Sequence, residues 1–258
     1  MDLKTMEKMP SWLMRIVKET GRGINRFKMI EDGDKVLLAI SGGKDSLALA
    51  FTLAFTLAVR RRWLPIKYQL HAMRIDWNQY PMPEPDAKKM EEFFDQLEIP
   101  YEVMKADMFP PSFRGDFNCY LCARNRKRML FDKASELGYK KIATGHHMDD
   151  IITTTLINLC YRGNFSTMMP VQQFFGGKLI LIRPMCMVHE SKLRLMAERL
   201  DFPVYNTGCP YKSTNMRLKM RPIVAELSKD NRRLREHIFE APWNINPEYL
   251  PTDLGEDE

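Results

Sequence analysis

Short segments rich in apolar residues alternate with longer stretches of mixed polarity along most of the chain. Lys35-Val36-Leu37-Leu38-Ala39-Ile40 is such a run, as expected of a strand buried on both faces. Segments at 68–75, 101–104, 141–144 and 179–182, mixed in polarity except the last, predict four more strands. Between and after them, helices are predicted from Ser46, over 87–97 and 122–137, from Asp149, and over 189–200. Residues 11–30 predict an amphipathic basic helix with Trp12, Ile16, Ile24 and Phe27 at its apolar positions. Asp32-Gly33-Asp34 predicts a turn, Pro-rich 80–85 a loop, and 217–239 a basic helical appendage before an acidic, frayed end. Strands alternating with helices predict an α/β fold with a mostly parallel sheet, whose ligands bind outside the carboxyl ends of the strands.

Composition narrows this only a little. The 258 residues suffice for one substantial core, and 45% hydrophobic with 28% charged residues exclude a disordered or fibrous chain. The longest apolar stretch, Leu47–Val59, falls short of the roughly 20 residues of a membrane span, so no membrane partner is expected. No apolar signal region follows Met1-Asp2-Leu3-Lys4, and the five cysteines are an odd number; a reducing, cytoplasmic location is the expectation. The net charge of +6 permits a polyanionic partner without requiring one.

The sharpest chemical signal is Ser41-Gly42-Gly43-Lys44-Asp45-Ser46, placed between the first strand and a helix. Glycines there let backbone approach phosphate oxygens, and the helix N-terminus adds unpaired N–H groups and a favourable dipole. A Walker A loop is excluded, because Leu38 and Asp45 stand where that motif needs Gly and Ser or Thr. An acid inside a phosphate loop points to a magnesium ion bridging it to the phosphates. Gly145-His146-His147-Met148-Asp149-Asp150 follows another strand on the same rim; its paired carboxylates fit magnesium, or an ordinary helix cap. Cys119-Tyr120-Leu121-Cys122 can share one metal centre. The spacing alone leaves zinc open, completed by Cys186 or a histidine. Cys160 and Cys186 read as buried hydrophobes.

The hexapeptide resembles the PP-loop of the adenine-nucleotide alpha-hydrolase-like ATPases, which have a Rossmann-like parallel sheet. Phe27–Asp34, the Gly145–Asp150 segment and Ile182-Arg183-Pro184 resemble the tRNA 2-thiocytidine synthetase (TtcA) branch. The resemblance implies cleavage of ATP to AMP and pyrophosphate, with adenylation of a base carbonyl, namely cytidine C2 at position 32 of tRNA. It implies ATP on Ser41, Gly42, Gly43, Lys44, Asp45, Ser46, Gly145, His146 and Asp150, with Mg2+. Asp45, Asp149 and Arg126 would carry catalysis, and adenine would lie near His71–Arg74. It further implies a 4Fe-4S cluster on Cys119, Cys122 and Cys209, its fourth iron left to bind sulfide; Cys209 thereby also counts as catalytic. The sulfur donor would be a cysteine desulfurase or free sulfide, and a second copy of the chain is a candidate partner. Two departures stand out: Thr153 replaces the family's Gln or Glu, and Asn206 replaces the first cysteine of a second C-x2-C.

Three basic clusters bear on the polyanion: Arg60-Arg61-Arg62, Arg124-Asn125-Arg126-Lys127-Arg128, and the stretch from Arg217 to Arg235, which is the best candidate to grip tRNA. The expected organisation is an N-terminal helical segment over 1–33, an ATPase domain with the cysteines over 34–216, and a basic helical extension over 217–258. Three alternatives stay open: a sulfurtransferase for another base of 2-thiouridine type, one for a small molecule, and a non-catalytic iron–sulfur or zinc RNA-binding protein.

Overall fold

A computed structural model describes residues 10–60, 66–109, 113–114, 119–206 and 216–250, without the side chains of 58–60 and 119. Two compact units emerge, Met1–Met148 with Met169–Thr214, and Asp149–Met168 with Asn215–Glu258.

The first unit is built on a six-stranded sheet of order β3-β2-β1-β4-β6-β5. Its strands are β1 (Lys35–Ile40), β2 (Gln69–Trp77), β3 (Tyr101–Ala106), β4 (Lys141–Thr144), β5 (Val171–Phe174) and β6 (Leu179–Ile182). All neighbours pair in parallel except β5, which runs antiparallel to β6 at one edge. β1, β4 and β6 lie where the apolar runs predicted them. β5 was not legible, because Gln172 and Gln173 break its hydrophobic pattern; both are exposed on the edge strand. β1, β2 and β3 step outward on one side, and the chain then returns to place β4 on the other side of β1, so the crevice of this sheet opens at the carboxyl end of β1.

The helices of this unit are α1 (Ser11–Arg26), α2 (Lys44–Arg60), α3 (Glu84–Gln96), α4 (Cys119–Glu136) and, beyond the α5 helix (Met148–Arg162) that starts at the unit boundary, α6 (Glu190–Arg199). α1 buries Leu13, Ile16 and Ile24 and packs on α2 and α6. It ends four residues earlier than its pattern predicts, and Lys28 then takes a left-handed conformation at φ 48°. Phe131 and Ala134 of α4 cover the sheet through Leu37, Met73, Ile142 and Leu181. Burying such residues contributes about 1.5–3 kcal/mol apiece for the larger ones, which holds α4 to the sheet.

The second unit contains α5 from Asp149 onward, α7 (Met216–Asp230) and α8 (Leu234–Glu240). α7 and α8 bury Met220, Val224 and Phe239. Cys160 is exposed rather than buried. It lies near the carboxyl end of α5, past Ile151, Ile152, Thr153, Thr155 and Asn158, which the helix buries.

Candidate active site

β1 delivers the chain into Ser41 at the carboxyl rim, and α2 begins at Lys44. Gly42 takes φ +84°, a conformation that a side chain resists, and this turns the chain into the helix. Ser46, buried, closes the loop on itself: its Oγ donates to Gly43 O (2.8 Å) and accepts from Ser41 N–H (3.2 Å). Ser41 Oγ in turn accepts from Gly43 N–H at 3.3 Å. The first amides of α2 have no acceptor within the helix and carry its positive dipole end, a ready site for phosphate.

Charge is concentrated on this turn. Lys44 Nζ donates to both carboxylate oxygens of Asp45 (2.8 and 2.9 Å) and to Glu190 Oε1 (3.0 Å). His147, almost fully buried, brings its Nε2 to 3.9 Å from Asp45 Oδ1. Glu190 opens α6. His147 belongs to the Gly145–Asp150 segment marked in the sequence, whereas Glu190 lies 146 positions from Lys44 and no local pattern marks it.

Gly145 explains itself sterically. A Cβ there would stand 2.8 Å from the Asp45 carbonyl and 2.9 Å from Ser46 N, closer than real Cβ atoms approach. A glycine lets the loop after β4 lie directly on the phosphate turn. His146 holds its Nδ1 2.8 Å from Thr144 Oγ1.

The cysteine helix reaches the same rim. Positions 119 and 122 are one turn apart at the start of α4, where the helix dipole favours thiolates. Cys122 is half-buried against Ile75, Trp77 and Met108 at the carboxyl end of β2. That setting suits a thiolate-held cluster shielded from water. Cys209 and the side chain of Cys119 lie outside the described residues, and no set of three metal-ligating side chains gathers among the described ones. Cys186 is a poor metal ligand: it is fully buried, and burial pushes its thiol up to about 12, where it stays neutral.

α4 aims its basic residues in different directions. The Arg126 guanidinium lies 5.5 Å from the Trp77 ring centroid, and neither Arg126 Nε nor Trp77 Nε1, both buried, has an acceptor among the described residues. Lys127 packs 3.9 Å over Phe174 and 5.2 Å from Phe131; burial, helped by the charge of Arg183, lowers its pKa. Only Arg124 and Arg128 of the cluster face solvent. Arg74 is committed elsewhere, its Nη1 2.9 Å from Asp76 in a buried pair, and His71 Nδ1 stands 3.1 Å from Tyr139 Oη.

In the second unit, Arg235 donates to Asp149, and Arg217 lies 3.9 Å from Asp150. Thr153 Oγ1 donates back to the Asp149 carbonyl at 2.6 Å, so this position presents neither acid nor amide. Arg61, Arg62 and the acidic end from Asp253 lie outside the described residues.

Known proteins resemble this chain closely. Residues 16–209 match the PP-loop domain family. The tRNA-cytidine(32) 2-sulfurtransferase of Alkalilimnicola ehrlichii is 35% identical over 97% of this chain and 77% of its own length. That of Paraburkholderia phymatum is 36% identical over 92% of this chain and 70% of its own. Among solved structures, the U34-tRNA thiolase NcsA from Methanococcus maripaludis, determined with its [4Fe-4S] cluster, shares the fold. It superposes with a TM-score of 0.69 at 21% identity, covering 91% of this chain and 81% of that one.

Proposed function

The chain belongs to the PP-loop family, in the group of the tRNA-cytidine(32) 2-sulfurtransferases, and on that premise we propose that it thiolates a tRNA cytidine at C2 at the expense of ATP. One observation carries the reading. Within one unit, the phosphate turn after β1 and the C-x2-C helix beside β2 share a single rim, and β1 and β2 are hydrogen-bonded neighbours.

The cytidine O2 attacks the α-phosphorus of ATP, forming a C–O–P linkage and releasing pyrophosphate. A sulfide sulfur then adds to C2, AMP leaves with the former carbonyl oxygen, and C2=O has become C2=S with no change of oxidation state. Activation is needed because an amide-type oxygen leaves poorly, whereas AMP leaves well. The amides of α2 and Lys44 take the negative charge that develops on the phosphates, prearranged and with little reorganisation. Asp45 orients Lys44 and would offer a carboxylate to the magnesium that ATP brings. Arg126, with a buried N–H to offer, is assigned to the reacting oxygen or phosphate. Cys119, Cys122 and Cys209 would hold a 4Fe-4S cluster, whose chemistry when bound would be to carry the attacking sulfide. Cations of the Arg217–Arg235 stretch are assigned to the tRNA backbone.

The test is anaerobic turnover of reconstituted protein with unmodified tRNA, ATP and sulfide. AMP, pyrophosphate and 2-thiocytidine in equal amounts are the expected products. Thiolation of a uridine would move the chain to another substrate class. AMP formation without tRNA dependence would contradict the reading.

A further inference from the structure

The two faces of α4 differ in chemistry. Inward, Phe131 and Ala134 lie on the sheet. Two cations of the basic run are also drawn in, Arg126 over the Trp77 ring and Lys127 over that of Phe174. Outward, Tyr120, Arg124 and Arg128 follow one another at four-residue spacing. At about 100° per residue they keep within a sector of about 80°, a single stripe along the helix. All three are exposed, Tyr120 by 70%. Asp132, exposed at the next position on the same line, ends the stripe. Among the described residues neither Arg124 nor Arg128 has a carboxylate partner. The charge of the stripe is therefore uncompensated, and its ring does not fill the core as Phe131 does.

An exposed ring in line with two open guanidinium groups suits single-stranded RNA: the ring takes the face of a base, and the forks take phosphate oxygens of the same strand. The arginines stand about 6 Å apart along the helix axis, a step that adjacent phosphates of a strand can follow. Bases in a paired stem are already stacked on one another, so the ring selects an unpaired loop. The place fits as well. Tyr120 and Cys122 share the first turn of α4, and Cys122 packs beside Ile75, Trp77 and Met108 at the carboxyl end of β2. A base stacked on Tyr120 therefore lies at the rim to which β1, the neighbour of β2, delivers the phosphate turn.

We propose that the outer face of α4 is the docking strip for the single-stranded loop of the RNA substrate. Tyr120 stacks on a nucleobase that flanks the reacting one, and Arg124 and Arg128 hold phosphates of the same strand. The strip rests on reading the chain as a tRNA-modifying enzyme, and it names the part of the RNA that is gripped and the side chains that grip it.

The experiment measures fluorescence anisotropy of the intact chain with two labelled probes, an unmodified tRNA transcript and a fully paired RNA duplex of equal length. Tyr120→Leu keeps apolar bulk and helix preference and removes the aromatic face. It should bind the tRNA about tenfold more weakly and the duplex unchanged. Tyr120→Phe should bind both probes as the unaltered protein does. Arg124→Ala combined with Arg128→Ala should flatten the log–log salt slope for tRNA by about 1.4, the share of two single-strand phosphates. Melting temperatures should stay the same throughout. If Tyr120→Leu melts early, Tyr120→Trp decides in its place: a larger ring must keep or tighten tRNA binding, and weaker binding would overturn the stacking. Tyr120→Leu that binds tRNA normally would overturn it too, as would an equal loss on the duplex. An unchanged slope in the arginine variant would overturn the phosphate contacts. In all these cases the unaltered protein still binds tRNA, and the reading of the substrate stands. Failure of the unaltered protein to bind tRNA would overturn that reading, and the strip with it.

Discussion

Lys44 and Glu190 form an ion pair of 3.0 Å on the phosphate turn, with Lys44 also held by Asp45 at 2.8 Å. Two carboxylates therefore share the ammonium that must turn to phosphate. Glu190 competes with ATP for Lys44, and its charge repels the phosphates. Glu190→Gln should tighten ATP binding by about two- to fivefold, the scale of one partly exposed ion pair. Lys44→Ala should weaken binding at least tenfold. Calorimetric titration checks both, and weaker binding by Glu190→Gln would give that carboxylate a supporting role instead.

Gly145 leaves no room for a side chain beside Asp45. Gly145→Ala should push the phosphate turn away from β4 and destabilise the fold by about 1–3 kcal/mol, as overpacking does. ATP affinity should fall with it. Urea melts and nucleotide titration together decide this; a variant that melts and binds normally would show that the turn shifts freely.

The cysteines divide by environment. Cys119→Ser, Cys122→Ser and Cys209→Ser should each abolish the cluster, whereas Cys160→Ser, on the exposed side of α5, should leave it intact. Iodoacetamide on the native protein should label Cys160 and spare Cys186, whose thiol is pushed up to about 12 by burial. That raised value has a stability counterpart. Because the folded pKa exceeds the unfolded value of about 8.5, the protonated thiol favours the fold fully below pH 8.5. The contribution is lost as pH climbs toward about 12. Mass mapping of labelled peptides gives the result directly, and native labelling of Cys186 would contradict its burial.

Binding of tRNA should depend on salt through the exposed cations of α7. Lys219 and Arg221 face solvent, while Arg217 and Arg235 are drawn to Asp150 and Asp149. Replacing Lys219 and Arg221 by alanine should weaken tRNA binding and flatten the log–log salt slope by about 1.5, two phosphate contacts' worth. ATP affinity should be unchanged. An unaltered slope would move the RNA surface elsewhere.

What the sequence disclosed follows from which forces are local. β1 and β6 were legible because strands buried on both faces are nearly continuously apolar. The phosphate turn was legible because Gly-Gly between strand and helix is a local conformational demand. Helix α3 starts at Glu84, inside the expected loop, since Pro85 suits a first turn and Glu84 and Asp86 complement the dipole. Glu190 was not singled out, because it acts through Lys44, a partner remote in sequence. Cys160 misled because a cysteine in an apolar run does not reveal which side of its helix is covered.

The central claim is oxygen-to-sulfur exchange on a tRNA cytidine, and the most direct measurement is mass spectrometry of nucleosides from total tRNA of cells with and without this protein. The account predicts loss of 2-thiocytidine alone, restored by the intact gene and not by one encoding Cys122→Ser. An unchanged nucleoside profile would contradict it.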